Sequence, residues 1–174
     1  MDNDMLVKGA VFLMASYISG HIIYSVAGLL DSLVYDRLRK LFYSKEDKAI
    51  EEVRIIKKKI IDESMDESGN SSINEYKWAK SVIEIKEPGL ILSVNKFEAD
   101  QKFFRSFTIL ALFNIVAVII YPVISHCVPD HFGYKIAFWS LIFLLSLYRF
   151  INRRFKGHRH AFEIIIVLKS LGKF

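Results

Sequence analysis

Ser106 to Cys127 reads SFTILALFNIVAVIIYPVISHC, 22 residues without one formal charge. At about 1.5 Å of rise per residue such a helix is roughly 33 Å long, enough to cross the hydrocarbon core of a bilayer. Asn114 and Pro122 are its internal irregularities. Upstream, GAVFLMASYISGHIIYSVAGLL from Gly9 to Leu30 is a second uncharged run of the same length. Downstream, a third run lies between Lys135 and Arg149, with 13 uncharged residues from Ile136 to Tyr148. With those two cations snorkelling to opposite interfaces, Phe132 to Ile151 makes a 20-residue span. A buried or re-entrant helix is the alternative for this third run. VPDHFG before it reads as a helix–helix turn.

The composition fits this segregation. The 174 residues are 52% hydrophobic yet 25% charged, with a net charge of +5. The apolar residues fall in long uncharged runs and the charges between them. A disordered polypeptide, a disulfide-stapled secreted domain (Cys127 is the single cysteine) and a simple cytosolic globule are all excluded. The fold class expected is an all-α integral membrane protein with three transmembrane helices and a helical cytoplasmic layer.

The basic residues set the orientation. Lys8 and Lys135 lie on one side of the expected spans. Arg37, Arg39, Lys40, Lys45, Lys48, Lys102, Arg105, Arg149, Arg153, Arg154, Lys156 and Arg159 lie on the other. The excess of positive charge belongs inside, so the N-terminus is expected outside and the C-terminus in the cytoplasm. MDNDMLVK carries more acid than base and the run after it is long for a signal peptide, so cleavage is not expected.

Four segments follow. Residues 1–40 are expected to form the first transmembrane helix with a cytoplasmic extension, Leu33, Val34, Leu38, Leu41 and Phe42 sharing one face. Residues 41–105 make a helical cytoplasmic segment. Within it, Ile50, Val53, Ile56 and Ile60 mark an amphipathic helix from Lys45 to Ser64. An acidic loop covers 62–75. Ser72 and Glu75 have capping-box spacing before a short helix carrying Trp78, Val82 and Ile85, which Pro88-Gly89 ends. From Leu90 one long helix is expected to lead into the second span. Residues 106–151 form a transmembrane hairpin, and 152–174 a basic cytoplasmic C-terminal helix. The layer buries too little apolar surface to stand alone. AFEIIIVLKSL, Ala161 to Leu171, or a neighbouring copy is expected to pack on it.

Several residues carry candidate chemistry. Ser16, Gly20, Ala27 and Gly28 place small side chains at helical spacing in the first span, where close packing drives helix association. His21 sits mid-span with Tyr17 and Ser25 one turn away on either side. It is either a pore-lining or gating group or a neutral imidazole hydrogen-bonded to Tyr17, Ser25 or a neighbouring helix. Asn114 is read as an interhelical hydrogen-bonding group, and Pro122 as a kink. Arg149, Arg153, Arg154, Lys156 and Arg159 form the densest basic cluster, suited to anionic headgroups. Its interleaved aromatics leave RNA as a second, less favoured partner. Arg153 with His158 and Arg154 with His160 have the spacing of the Arg–His pair of HEPN ribonucleases. No phosphate loop, HExxH, GxSxG or CxxC occurs. No metal is expected at His158 and His160, which diverge on a helix, and no cofactor is expected.

YISGHIIYSVAGLLDSLVYDRL (Tyr17–Leu38), FEADQKFFRSF (Phe97–Phe107) and RFINRRFKGHRHAF (Arg149–Phe162) are together similar to small multi-pass bacterial membrane proteins encoded beside antiviral genes. In particular they resemble the accessory membrane proteins of type VI CRISPR systems, whose partner is an RNA-guided RNase. The resemblance implies an oligomeric inner-membrane pore with a divergent HEPN-like pair on Arg153 and His158 or on Arg154 and His160. One branch of that group has a single N-terminal span, against the three read here.

The expected function is a non-enzymatic, homo-oligomeric inner-membrane component that forms a pore or perturbs the bilayer in a bacterial antiviral or stress response. One alternative is a membrane anchor or sensor recruiting a cytosolic effector through Trp78, Ile85 and the acidic loop. The other is a HEPN-like ribonuclease.

Overall fold

A computed structural model describes residues 3–35, 37–38, 44–64, 73–128 and 130–173. Among these residues the regular elements are all helical. In chain order they are α1 (Asn3–Ala27), a π-helical turn (Asp31–Tyr35), α2 (Ser44–Ser64), α3 (Glu75–Lys86), α4 (Pro88–Ser125) and α5 (Phe132–Ser170). Three stretches are long and apolar enough to cross a membrane: Val7–Tyr35, Pro88–Ser125 and Phe132–Ser170. The all-α class therefore holds, with three helices long and apolar enough to span, and the third run lies on one of them.

The helices differ from the sequence reading at four places. The first rod is not one uninterrupted α-helix. Gly28 N–H is shared between the carbonyls of Tyr24 (3.3 Å) and Ser25 (3.1 Å), and Asp31 N–H bonds to Gly28. The chain then winds through the π turn, whose wider register shifts which side chains share a face. Tyr35 becomes the fully buried residue, whereas Leu33 is exposed. Leu41 and Phe42, expected on that face, lie outside the described residues, as do Arg39 and Lys40.

At α3 the cap is Asn74, not Ser72. The Asn74 side chain accepts from Tyr76 N–H at 2.9 Å, so Glu75 begins the helix instead of closing a capping box. Ser72 and most of the acidic loop lie outside the described residues. Pro88-Gly89 belongs to α4, with Pro88 at its first position, where a missing N–H costs nothing. Only Glu87 separates α3 from α4.

The third span and the basic C-terminal segment, expected as separate at 151–152, are one helix. It stops where Lys173 N–H bonds to Leu168 and Gly172 N–H to Lys169, with Gly172 at φ +65°. That left-handed turn favours glycine.

The residues divide into two units, Met1–Tyr35 with Lys102–Phe150 and Asp36–Gln101 with Ile151–Phe174. The first, the apolar unit, buries Ala27, Tyr35, Ile109, Ala111 and Phe150. Val11, Phe12, Leu13, Met14, Tyr17 and Ile18 stand exposed around α1. A helix apolar on all sides fits lipid as its solvent.

The second, the charged unit, has a compact core. Ile50, Val53 and Ile56 of α2, Ala79 and Ile83 of α3, Val94 of α4, and Ala161, Phe162, Ile164, Ile165 and Leu168 of α5 form it. The C-terminal segment thus supplies the packing that the layer needs. On α3 the buried stripe falls on Ala79 and Ile83; Trp78 and Val82 only flank it, and Ile85 is 76% exposed. The expected stripe was displaced because Val82 and Ile83 are adjacent apolar residues and only tertiary contact selects between them.

One close approach fixes α5 against α4 in this unit. A Cβ on Gly157 would sit 2.9 Å from the Phe97 Cβ. Gly157→Ala is expected to destabilise the charged unit by about 1–3 kcal/mol through overpacking, against the helix preference for alanine. Denaturant unfolding of the detergent-solubilised chain checks the sign.

Candidate functional site

The candidate residues fall in two places, one in each unit. In the apolar unit, the small-residue stripe of α1 divides. Ala27 is fully buried, Gly20 has open space where a Cβ would stand, and Gly28 supports the turn. His21 and Ser25 are exposed, four residues apart on one face. The His21 ring packs edge-on to Tyr17 with centroids 4.5 Å apart. Ser16 is exposed as well.

Among the described residues Asn114 bonds within its own helix. Its Nδ2 donates to the Leu110 carbonyl at 2.8 Å, one turn back on α4. An interhelical polar contact joins Thr108 and Ser146, whose hydroxyls meet at 3.1 Å between α4 and α5. Each hydroxyl also reaches a carbonyl of its own helix, so both stay satisfied in a buried setting.

Arg105 and Asp31 make a charge-assisted contact in this unit. Arg105 Nη1 donates to Asp31 Oδ2 at 2.6 Å, and the guanidinium lies 5.1 Å from the Tyr24 ring centroid. The Arg105 side chain is 8% exposed and that of Asp31 27%. Neither was singled out as a pair by its sequence context, although a signal exists. Asp31 directly follows the first uncharged run and Arg105 directly precedes the second, so antiparallel spans bring opposite charges to one end.

In the charged unit, several groups of the basic segment of α5 meet partners within the chain. Arg153 Nε lies 3.5 Å from Asp100 Oδ2, and its guanidinium 5.9 Å from the Phe97 centroid. His158 stacks on Tyr76 with centroids 4.2 Å apart. His160 Nε2 lies 2.9 Å from Ser93 Oγ. Ser93 Oγ donates to the Leu90 carbonyl at 2.7 Å. The hydroxyl thus has two acceptors in reach, and the tautomer of His160 sets which of the two, ring or hydroxyl, donates in their contact. Arg159 pairs with Glu163 at 2.7 Å on the surface. Arg149 and Lys156 are exposed, whereas Arg153 and Arg154 are half-buried.

The Arg–His pairs do not converge within one chain. On an unbroken helix, residues five or six apart point about 120–140° away from each other. Arg153 faces Asp100 and Phe97 on α4, while His158 faces Tyr76 on α3. Glu98 and Asp100 likewise separate, Glu98 to Lys80 and Asp100 to Arg153. Among the described residues no group of His, Cys, Asp and Glu could hold a metal.

Two groups of α3 have shifted acidities. Burial pushes the Tyr76 phenol up to about 12, with Glu98 adding to the rise and Arg154 opposing it. Burial would raise the Glu75 carboxyl, but a bond from its own backbone and the charges of Arg54 and Lys57 outweigh it and hold it below the usual range.

Family models, curated proteins and solved structures give no match to this chain.

Asp31→Asn or Arg105→Gln is expected to lower the thermal midpoint in detergent. The cost is up to ~3 kcal/mol, the lower end for breaking a buried pair, because Asp31 is partly exposed. Replacing both by Leu and Met recovers part of the loss. Tyr76 gives a pH signature. An unfolded chain ionises its tyrosines near pH ~10, whereas Tyr76 in the fold holds its proton to about 12. Over that interval the unfolded state binds fewer protons, so stability falls as pH rises. Tyr76→Phe is expected to flatten this alkaline loss in a series of unfolding curves.

Proposed function

We propose that this chain is a non-enzymatic, homo-oligomeric component of the bacterial inner membrane that opens or perturbs the bilayer in an antiviral or stress response. The observation that carries the reading is the exposed His21–Ser25 face of α1. Polar and ionisable groups within a span face protein or a water-filled path, since hydrocarbon solvates them poorly. Copies of the chain meeting through that face would cover His21 and Ser25 or line an axial channel with them.

The distribution of basic residues supports an outside N-terminus and a cytoplasmic C-terminus, with the charged unit in the cytoplasm. The resemblance to accessory membrane proteins of type VI CRISPR systems points to the same membrane and to an assembly. The ribonuclease reading gains no convergent Arg–His centre from one chain. A membrane anchor that recruits a cytosolic effector is the second reading, favoured by the exposed Ile85 on α3. Its test is co-purification of a partner that is lost on deleting 62–75 or on Ile85→Asp.

Purified chain in sealed vesicles of phosphatidylethanolamine and phosphatidylglycerol is expected to release an entrapped dye. His21→Leu with Ser25→Leu is expected to reduce release at least about tenfold and to change the particle's copy number, read by native mass spectrometry. Absence of release from wild-type vesicles, with and without the protein's operon partner, rules the pore out.

A further inference from the structure

Asn114 puts a carboxamide inside the uncharged part of α4. It lies about 12 Å along the helix from Ser106 and about 17 Å from Ser125, where the helix ends. A carboxamide offers two N–H donors and an oxygen with two lone pairs. One N–H goes to the Leu110 carbonyl at 2.8 Å, which also fixes which side of the amide is nitrogen, since an oxygen there would face another oxygen. Among the described residues nothing else meets its second N–H or its Oδ1. In hydrocarbon that deficit is costly, and at this depth neither water nor a headgroup supplies the partner.

The side of α4 that carries Asn114 is not the side that packs on α5. Thr108 meets Ser146 of α5, and Ala111, Ile115, Val118 and Pro122 continue that side at steps of three and four, all of them buried or half-buried. About 120° around the helix, Leu110, Asn114, Ala117, Tyr121 and Ile124 follow one another at steps of four and three. Beyond Leu110 this second line is open. Tyr121 is 56% and Ile124 75% exposed, Ala117 is exposed, and Asn114 is half-buried. Alternating steps of four and three make the seam of a left-handed helix pair. Ala117, one turn from Asn114, has too little side chain to hold a neighbouring backbone away.

Copies of one chain insert in the same direction and to the same depth, so a seam that meets its own copy is parallel and in register. Asn114 then faces Asn114. The carboxamide is self-complementary: the second Nδ2–H of one copy reaches the Oδ1 of the next, and the deficit closes in both. Acyl chains or an aliphatic helix on the seam would leave it open. We propose that α4 is a contact between copies of this chain, with Asn114 bonded to Asn114 in a seam of Leu110, Ala117, Tyr121 and Ile124. A lone asparagine in such a seam fixes register and copy number, because any slip buries the amides unpaired. The contact rests on the homo-oligomer proposed above and names one of its interfaces; it needs neither a pore nor the His21–Ser25 face.

The test counts copies of the full chain in phosphatidylethanolamine–phosphatidylglycerol vesicles by single-molecule photobleaching, at increasing dilution in lipid. Asn114→Leu is expected to raise the dissociation constant about tenfold, the factor that two interhelical amide bonds supply in lipid, and Asn114→Gln to keep most of the affinity. In a Cys127→Ser background, Ala117→Cys is expected to cross-link copies on oxidation by copper phenanthroline in membranes. Leu112→Cys is expected not to, because Leu112 is exposed on the far side of α4 from the seam. Circular dichroism verifies that each variant is folded. Association that Asn114→Leu leaves unchanged, or cross-linking through Leu112→Cys as strong as through Ala117→Cys, overturns the α4 contact and leaves the homo-oligomer standing. So does cross-linking of Ala117→Cys to a different protein instead of a second copy. A wild-type chain that stays single at every dilution overturns the contact and the homo-oligomer together.

Discussion

A peptide N–H in hydrocarbon has no water to bond, so every backbone group there must find its partner inside the chain. That constraint explains the long helices. α4 and α5 run 38 and 39 residues without interruption, from charge-rich segments through apolar ones. Where the chain does break near a span, at Gly28, the freed groups are bonded again at once by the shared Tyr24 and Ser25 carbonyls and by the π turn. Side chains follow the same rule. Thr108, Ser146 and Asn114 each return a hydrogen bond to their own helix, and Arg105 meets Asp31.

The charged unit answers to water instead. Its amphipathic helices gather one apolar stripe each, and α5 contributes the largest share of the common core. The dense basic segment on α5 is accordingly less available than its composition implies. Arg153 and Arg159 face carboxylates, His158 is stacked on Tyr76, and His160 is held by Ser93. These contacts position α5 in the charged unit. Within one chain the opposing neighbours of Arg153 and His158 lie on different helices, α4 and α3.

The two faces of α1 differ in what they present. One carries His21 and Ser25, polar groups that an assembly would cover or hydrate. The other carries Gly20, whose missing side chain opens a slot toward Phe103 and Phe107. A stripe of small residues in a sequence merges the two, because spacing alone does not say which helix stands opposite.

The sequence by itself determined the class: three uncharged runs of sufficient length, the amphipathic α2 and a long helix entering the second span all follow from hydropathy and helical period. Charge and apolar runs are segregated along the chain, and the two units divide at 35/36, 101/102 and 150/151. Only the tertiary structure decided that Asn74 caps α3, that Ala79 and Ile83 face the core, and that Gly157 admits Phe97. It alone paired Arg105 with Asp31 across 74 positions and set Thr108 against Ser146. The reason is physical: a helix's period and its solvent are local properties of its residues. Which neighbour meets a given side chain depends on how separate helices pack, and no window of sequence contains that.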